Sequence, residues 1–595
     1  MSCSANYAAA VSGLCAAISI APQVTAADEK KPNVLLIITD DQGCGDFGFT
    51  GNKTVQTPNI DRLAAESARF SNFVAAPACS PSRTSLMTGR NYLKTGVWGV
   101  GERNNQLSDE VIMPVFFKAA GYGTGYFGKR DGIYQQGSGK NPWELGWDEA
   151  VMVWGYDHLD PRMITPGGVV EKKGWTCDID VENTLDYIRR QNGRPWLCAT
   201  AFIIPHLPWE PDERFAEPFR KTGCSKLLAD CYGSIAQMDA AAGRLLRGLD
   251  ELGCAQNTII VFLSDNGPSY HGMSEADIAI RNPAHLRDQK ASAWENGIRV
   301  PLLIRWPSHI PAGERTRFAG IEDLLPTLMD LTGLPLKRGP EHLPFDGISL
   351  KPILENPDAP ETERTVLRTA ISGTGMIGGD QWNAPDDPAA VPMDASHLTL
   401  RGPRFKFHQF KGGKTALYDL QQDISETNDV STQFPEVTEQ YAGELFREYT
   451  AIMKSGRACR MPVFTLSKPR LKIPAVMAQH LKGGAQAVIY QKGGGHFAID
   501  GFSTERDTVE YGLLIPAPGN FEVSVSGQQL ADGKDWVLTM GGQPVSPVSV
   551  TSEKISFGPI ALESGTVTLK IGLARPVPGG AEPSLITELL VTRVR

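Results

Sequence analysis

A chain of 595 residues exceeds one ordinary domain and has the length to bury a large core, so two or three domains are expected. Charged residues make up 21% and hydrophobic ones 41%, the profile of a globular protein, and a net charge of -9 excludes a nucleic-acid binder, which needs a basic surface. The same acidity repels anionic ligands at long range, so an anion site here has to be a local cluster of Arg and Lys inside a cleft.

The N-terminal run YAAAVSGLCAAISIAPQVTA, ending at Ala26, reads as a signal peptide (1–26) with a small-residue cleavage site, although no Lys or Arg precedes its apolar stretch. A secreted or periplasmic protein is the expectation. No later run reaches the ~20 apolar residues of a membrane span, so no transmembrane segment is expected. Ten cysteines in so long a chain are no disulfide scaffold, and whether Cys224 pairs with Cys231 is not decided by spacing.

After the charged junction DEKKPN, the unbroken apolar run NVLLIIT from Asn33 predicts a strand buried on both faces of a parallel sheet. WLCATAFII from Trp196, NTIIVFL from Asn257 and VPLLIRW from Val300 predict further strands. Helical patterns alternate with them, as in NIDRLAAESARF and in YGSIAQMDAAAGRLLRGLDELG, where Gly253 is placed as the stop. The alternation predicts an α/β domain over residues 30–365, with a large, mostly parallel sheet flanked by helices. Beyond Pro360, HLTLRGPRFKFHQF and TALYDL predict hairpin strands and VTEQYAGELFREYTAIM a helix, a small α+β subdomain at 366–461. Residues 462–595 turn Gly-rich and alternating: Phe521, Val523 and Val525 share one face, as do Val567, Leu569 and Ile571. That pattern predicts an appended β-sandwich.

Two of the buried strands end in oxygen-bearing side chains: NVLLIIT runs into Asp40-Asp41, and NTIIVFL runs through Ser264 into Asp265-Asn266-Gly267. Ligands of open α/β sheets bind at strand carboxyl ends, and four hard oxygen donors there suit Ca²⁺ or Mg²⁺. Either pair alone reads as turn chemistry; two pairs at matching strand ends favour a metal. A third element, ACSPSRTSLMTGR from Ala78 to Arg90, sets Cys79 and Arg83 at the start of a helix, where free N–H groups and the dipole favour an anion. Its Cys and Arg stand closer together than in a phosphatase-style cysteine loop.

In these segments the chain resembles the sulfatases of the alkaline phosphatase superfamily. NVLLIITDDQG, TPNIDRLAAES, CSPSRTSLMTGR, FIIPHLPW, SDNG and KASAWENGIRVP match that family's signatures in its order, from Asn33 to Leu420. The resemblance implies a Ca²⁺ ion held by Asp40, Asp41, Asp265 and Asn266 beside Cys79, and oxidation of Cys79 to Cα-formylglycine by a separate maturation enzyme. It implies that Arg83 orients the formylglycine, that Lys129 and Lys290 grip the sulfate, and that His206 lies near the leaving-group oxygen. One hydroxyl of the hydrated aldehyde then attacks sulfur, and the second expels sulfate, a step that plain Ser or Thr cannot perform.

The chain departs from the family at Gly128-Lys129-Arg130-Asp131, where a G-K-x-H pattern is usual. Asp131 stands in place of the histidine that serves as a candidate base, and Arg130 offsets its charge. Export together with an appended sandwich resembles bacterial polysaccharide-degrading systems, so the expected substrate is a sulfated carbohydrate; Tyr490, Phe497 and Trp536 could give it stacking faces, although core or edge packing is the more usual place for such aromatics. Two alternatives stay open: a phosphodiesterase or phosphonate monoester hydrolase on the same fold, and a degenerate glycan-binding protein.

Overall fold

The computed structural model describes residues 30–594 except 101–105, 108, 135–139, 337–341, 371–392, 458–462, 467–468, 476–477, 479, 492–495, 532 and 578–583. The predicted signal peptide lies outside the described residues. Among these residues no helix is long and apolar enough to cross a membrane.

Five strands carry the centre of a ten-stranded sheet: β1 (Asn33–Thr39), β2 (Gly123–Gly128), β3 (Trp196–Ala201), β4 (Thr258–Ser264) and β5 (Leu302–Arg305). Their spatial order is β5-β4-β1-β3-β2, and the β4-β1, β1-β3 and β3-β2 ladders are parallel. Every residue of β1 is buried because its alternate side chains serve two cores. Val34, Leu36 and Ile38 join Leu86 and Met87 of helix α1 (Cys79–Thr88). Leu35 and Ile37 join Met238 and Leu245 of helix α2 (Lys226–Glu251) on the other face. Such burial is worth ~1.5–3 kcal/mol per large side chain, and a charged residue at any of these positions would break the layer. Helix α2 stops as the sequence predicts, with Gly253 at φ +66°.

Two expectations need correction. The strand from Val300 is antiparallel to β4, not parallel. The helix read through NIDRLAAESARF closes at Ala65, and Ala68–Phe70 forms a short strand between β5 and the edge strand Gly313–Arg315. Long-range pairing there overrides the helical pattern. Cys224 and Cys231 are both free.

Val366–Thr369, Leu398–Arg401, Phe405–Gln409 and Thr415–Asp419 form an antiparallel sheet. The helix Pro435–Lys454 covers it through Tyr441, Leu445 and Tyr449. Further on, two sheets built on Thr508–Ile515 and Gly519–Gln528 share one apolar core that includes Phe521, Val523, Val525, Leu569 and Ile571. Trp536 lies in that core, 2% exposed, its ring edge-on to Phe502 and its Nε1 donating to Leu530 O, so it offers no face to a sugar. The side chains of Tyr490 and Phe497 lie outside the described ones.

Candidate active site

The carboxyl ends of β1 and β4 lie side by side because the two strands pair in register, Thr39 opposite Ser264. The residues that follow, Asp40-Asp41 and Asp265-Asn266, therefore leave the sheet together. Asp41 takes φ +61°, a left-handed conformation that Asp tolerates better than most residues, and its N–H donates to Asp265 Oδ1 at 3.2 Å. Gly267 has to be glycine, since a Cβ there would lie 1.7 Å from Asn296 O. One buried guanidinium ties the two loops: Arg281 bonds Asp46 through Nε and Nη2, both at 2.8 Å, and donates to Ser269 O and Asp41 O.

Helix α1 brings Cys79 to this point at its N-terminal end, with Sγ 3.3 Å from Asp40 Oδ1 and 3.9 Å from Asp41 Oδ1. One turn on, the buried Arg83 donates from Nε to Asp265 Oδ2 at 2.8 Å. Lys129 follows Gly128, whose φ of +116° brings it so close to Ala201 O that a Cβ would sit 2.0 Å away. From there Lys129 Nζ reaches Asp40 Oδ2 at 2.5 Å and Asp131 Oδ2 at 3.2 Å. Lys290 Nζ reaches both oxygens of Asp41, at 2.6 and 2.8 Å. His206 Nε2 lies 3.5 Å from Asp41 Oδ2, with Nδ1 2.6 Å from Leu207 O. Asp40, Asp41, Cys79, Arg83, Lys129, Asp131, His206, Asp265, Asn266 and Lys290 thus join one connected cluster.

Burial dominates the electrostatics. It pushes the Cys79 thiol well up, and Asp40 adds to the effect, so the side chain stays protonated. Burial and the neighbouring Asp40 push Asp265 up to about 6, against the pull of Arg83. Asp41 goes the other way, because Lys290, His206 and Lys129 outweigh its burial. His206 falls to about 4 through burial, which Asp41 only partly offsets. Burial would raise Asp131, but Lys129, Arg83 and Arg130 bring it down, so it is a carboxylate at neutral pH.

Asp40, Asp41, Asp265 and Cys79 can each offer a ligand atom within 4.8 Å of the others. Asn266 donates its Nδ2 to Asp41 Oδ1 and Gly267 O, leaving a buried Oδ1 with no partner. A buried, unmet amide oxygen beside three carboxylates fits a hard divalent cation. Arg83 Nη1 and Nη2 are likewise buried without an acceptor of hydrogen-bonding geometry, which fits an anion on the same side.

Sequence reading missed three contributors. The Arg281–Asp46 brace carries no local signal, since its members lie far apart in the chain. Glu295, inside the KASAWENG segment, is buried and ion-paired to Arg299, Arg401 and Lys406. Tyr156, in the loop after Glu149–Val153, stacks on His206 at 4.2 Å between ring centroids.

A central, mostly parallel sheet with an oxygen-rich cluster at its strand ends is the arrangement of an alkaline phosphatase-like fold, and the solved structures bear this out. A sulfatase family profile matches residues 32–334. The ulvan-active sulfatase of Formosa agariphila is 31% identical over 415 residues, 63% of this chain and 75% of that protein. Human arylsulfatase A is 30% identical over 446 residues, 67% of this chain and 83% of that one. Among solved structures, Ps i-CgsB in complex with k-i-k-neocarrahexaose superposes with a TM-score of 0.60 at 25% identity, over 70% of this chain and 93% of that one. The chain belongs to the sulfatase family and is a sulfuric ester hydrolase.

Proposed function

We propose that this enzyme removes sulfate from a sulfated carbohydrate, using a formylglycine made from Cys79 by a maturation enzyme and one Ca²⁺ held by Asp40, Asp41, Asp265 and Asn266. The observation that carries the reading is the convergence of three carboxylates and an unmet amide oxygen on Cys79. Two similar proteins support the substrate class by name, one ulvan-active and one solved with a neocarrahexaose. The thiol itself argues for modification: buried among carboxylates and held protonated, Cys79 is a poor nucleophile as it stands.

When bound, the cation supplies Lewis-acid polarisation of a sulfate oxygen. The hydrated formylglycine supplies two hydroxyls on one carbon, one to attack and one to release sulfate. Asp265 is placed to accept the proton of the attacking hydroxyl, and Arg83 keeps it aligned. Lys129, Lys290 and Arg83 balance the charge on the sulfate oxygens, and their fixed positions spare reorganisation during reaction. Burial would lower the Lys290 pKa, but Asp41 overrides it, so Lys290 acts as fixed charge. His206 serves the leaving oxygen; because burial lowers it to about 4, it is neutral in the free enzyme and has to take up the proton it passes on. Asp131, facing Lys129, takes the place of the family's histidine as base for release of the sulfated intermediate. Residues 30–365 and 366–461 build the catalytic unit, and 462–595 form an accessory unit that retains polymeric substrate near the site.

The test is sulfate release by the enzyme from a host with the maturation system, on sulfated glycans, an aryl sulfate and an aryl phosphodiester, with peptide mass spectrometry at Cys79. Sulfate release with formylglycine at position 79 is expected. Full activity with an unmodified thiol, or preference for the phosphodiester, would overturn the reading.

A further inference from the structure

Several exposed large apolar side chains fall in one short stretch of the chain. Trp154 (43%), Tyr156 (41%) and Leu159 (52%) are exposed, followed by Val169 and Val170 on the edge hairpin Arg162–Glu171. Of these, Tyr156 is continuous with the reaction centre. Its ring lies nearly parallel to His206, 19° between planes, and Lys129 Nζ stands 5.1 Å from its ring centroid. Its hydroxyl lies within electrostatic reach of Lys129, Asp131, Cys79 and Asp40. Tyr156 thus packs on His206 and Lys129 and still leaves 41% of its surface open to solvent beside the ionic cluster.

We propose that Tyr156 is a substrate-positioning residue: it receives the apolar C–H face of the pyranose ring that bears the sulfate, with His206 stacked behind it and Lys129 beside it. This deepens, and rests on, the sulfated-carbohydrate reading above. The sugar ring is the part of the substrate that the ionic cluster does not hold. The exposed part of the Tyr156 ring offers it apolar contact, while the hydroxyl stays buried toward the ionic cluster. Binding energy gathered there orients the C–O–S bond, so loss of the ring should appear mainly in KM for sugars.

Because Tyr156 is half exposed, Tyr156→Ala is expected to fold, and an unchanged Tm checks this. Sulfated monosaccharides and inorganic sulfate, a product that fills only the ionic pocket, are compared on wild type, Tyr156→Ala and Tyr156→Phe. Tyr156→Ala should raise KM for the sulfated sugar about tenfold, with kcat falling less and the inhibition constant of inorganic sulfate within about twofold. Tyr156→Phe, which keeps the ring, should recover most of that loss. An unchanged sugar KM in Tyr156→Ala, or a parallel loss of inorganic sulfate binding, would overturn the platform while leaving the carbohydrate reading intact. An enzyme that turns over an aryl sulfate but no sulfated sugar would remove both.

Discussion

Two buried clusters of charge behave in opposite ways. Around Glu295, every demand is met: Arg299, Arg401 and Lys406 all donate to its carboxylate, Lys406 also pairs with Glu426, and His408 lies 2.8 Å from Glu426 Oε1. Burial alone would raise the Glu295 pKa, yet those three cations hold it well below the usual range. Around Cys79 the balance is left open. Asp265 is pushed up to about 6, and Asn266 Oδ1, Thr39 Oγ1 and both Arg83 Nη atoms are buried without partners. A saturated network is a clamp, and here it fastens the segment that carries Lys290 to the strands Leu398–Arg401 and Phe405–Gln409. An unsaturated one is a binding site, since its unmet groups are paired only when ligand arrives.

The largest effect should follow removal of the nucleophile's precursor from the open cluster. Cys79→Ala is expected to cut turnover by at least about 10⁴-fold while leaving stability within about 1 kcal/mol, as judged by urea unfolding. Comparable loss of stability would mean that Cys79 belongs to the clamp rather than to the site.

Glu295→Gln tests the other side. Three buried cations would lose their counter-charge, so a stability loss of about 3 kcal/mol is expected, with the cation site still able to bind. Calorimetric unfolding checks it, and a neutral result would refute the clamp.

Asp131→Asn should slow turnover about tenfold with sulfated enzyme accumulating, seen by intact-mass measurement, and Asp131→His should retain activity. Unchanged kinetics would leave Asp131 as a mere partner of Lys129.

The smallest effect concerns a saturated carboxylate far from the site. Asp507 accepts from the N–H groups of Gly484, Ser503 and Thr504 and from the Ser503 hydroxyl. Its burial acts to raise its pKa, but these bonds bring it down to about 2. With a folded pKa below the unfolded ~3.9, its stabilising contribution is complete above that value and fades as pH falls toward 2. The Tm gap between wild type and Asp507→Asn should therefore shrink from pH 5 to pH 3; a gap that widens would reverse the assignment.

The site was legible in the sequence for a physical reason. Asn33–Thr39 and Thr258–Ser264 are apolar throughout, so their ends are marked by the first carboxylates that follow, and in-register pairing does the rest. The clamp was not legible, because Glu295 meets Arg401 and Lys406 only through tertiary packing. Ala68–Phe70 was read as helix since a three-residue strand has no period of its own to outweigh the pattern before it. Tyr156 was missed because nothing in a loop sequence tells which aromatic stacks on a distant histidine.

The central claim is that the open cluster at the ends of β1 and β4 is completed by a divalent cation needed for sulfate ester hydrolysis. Elemental analysis with activity, before chelation, after it and after return of Ca²⁺, tests this most directly. The account predicts about one Ca²⁺ per chain, loss of turnover on its removal and recovery on its return. Full turnover by protein shown to be free of metal would contradict it.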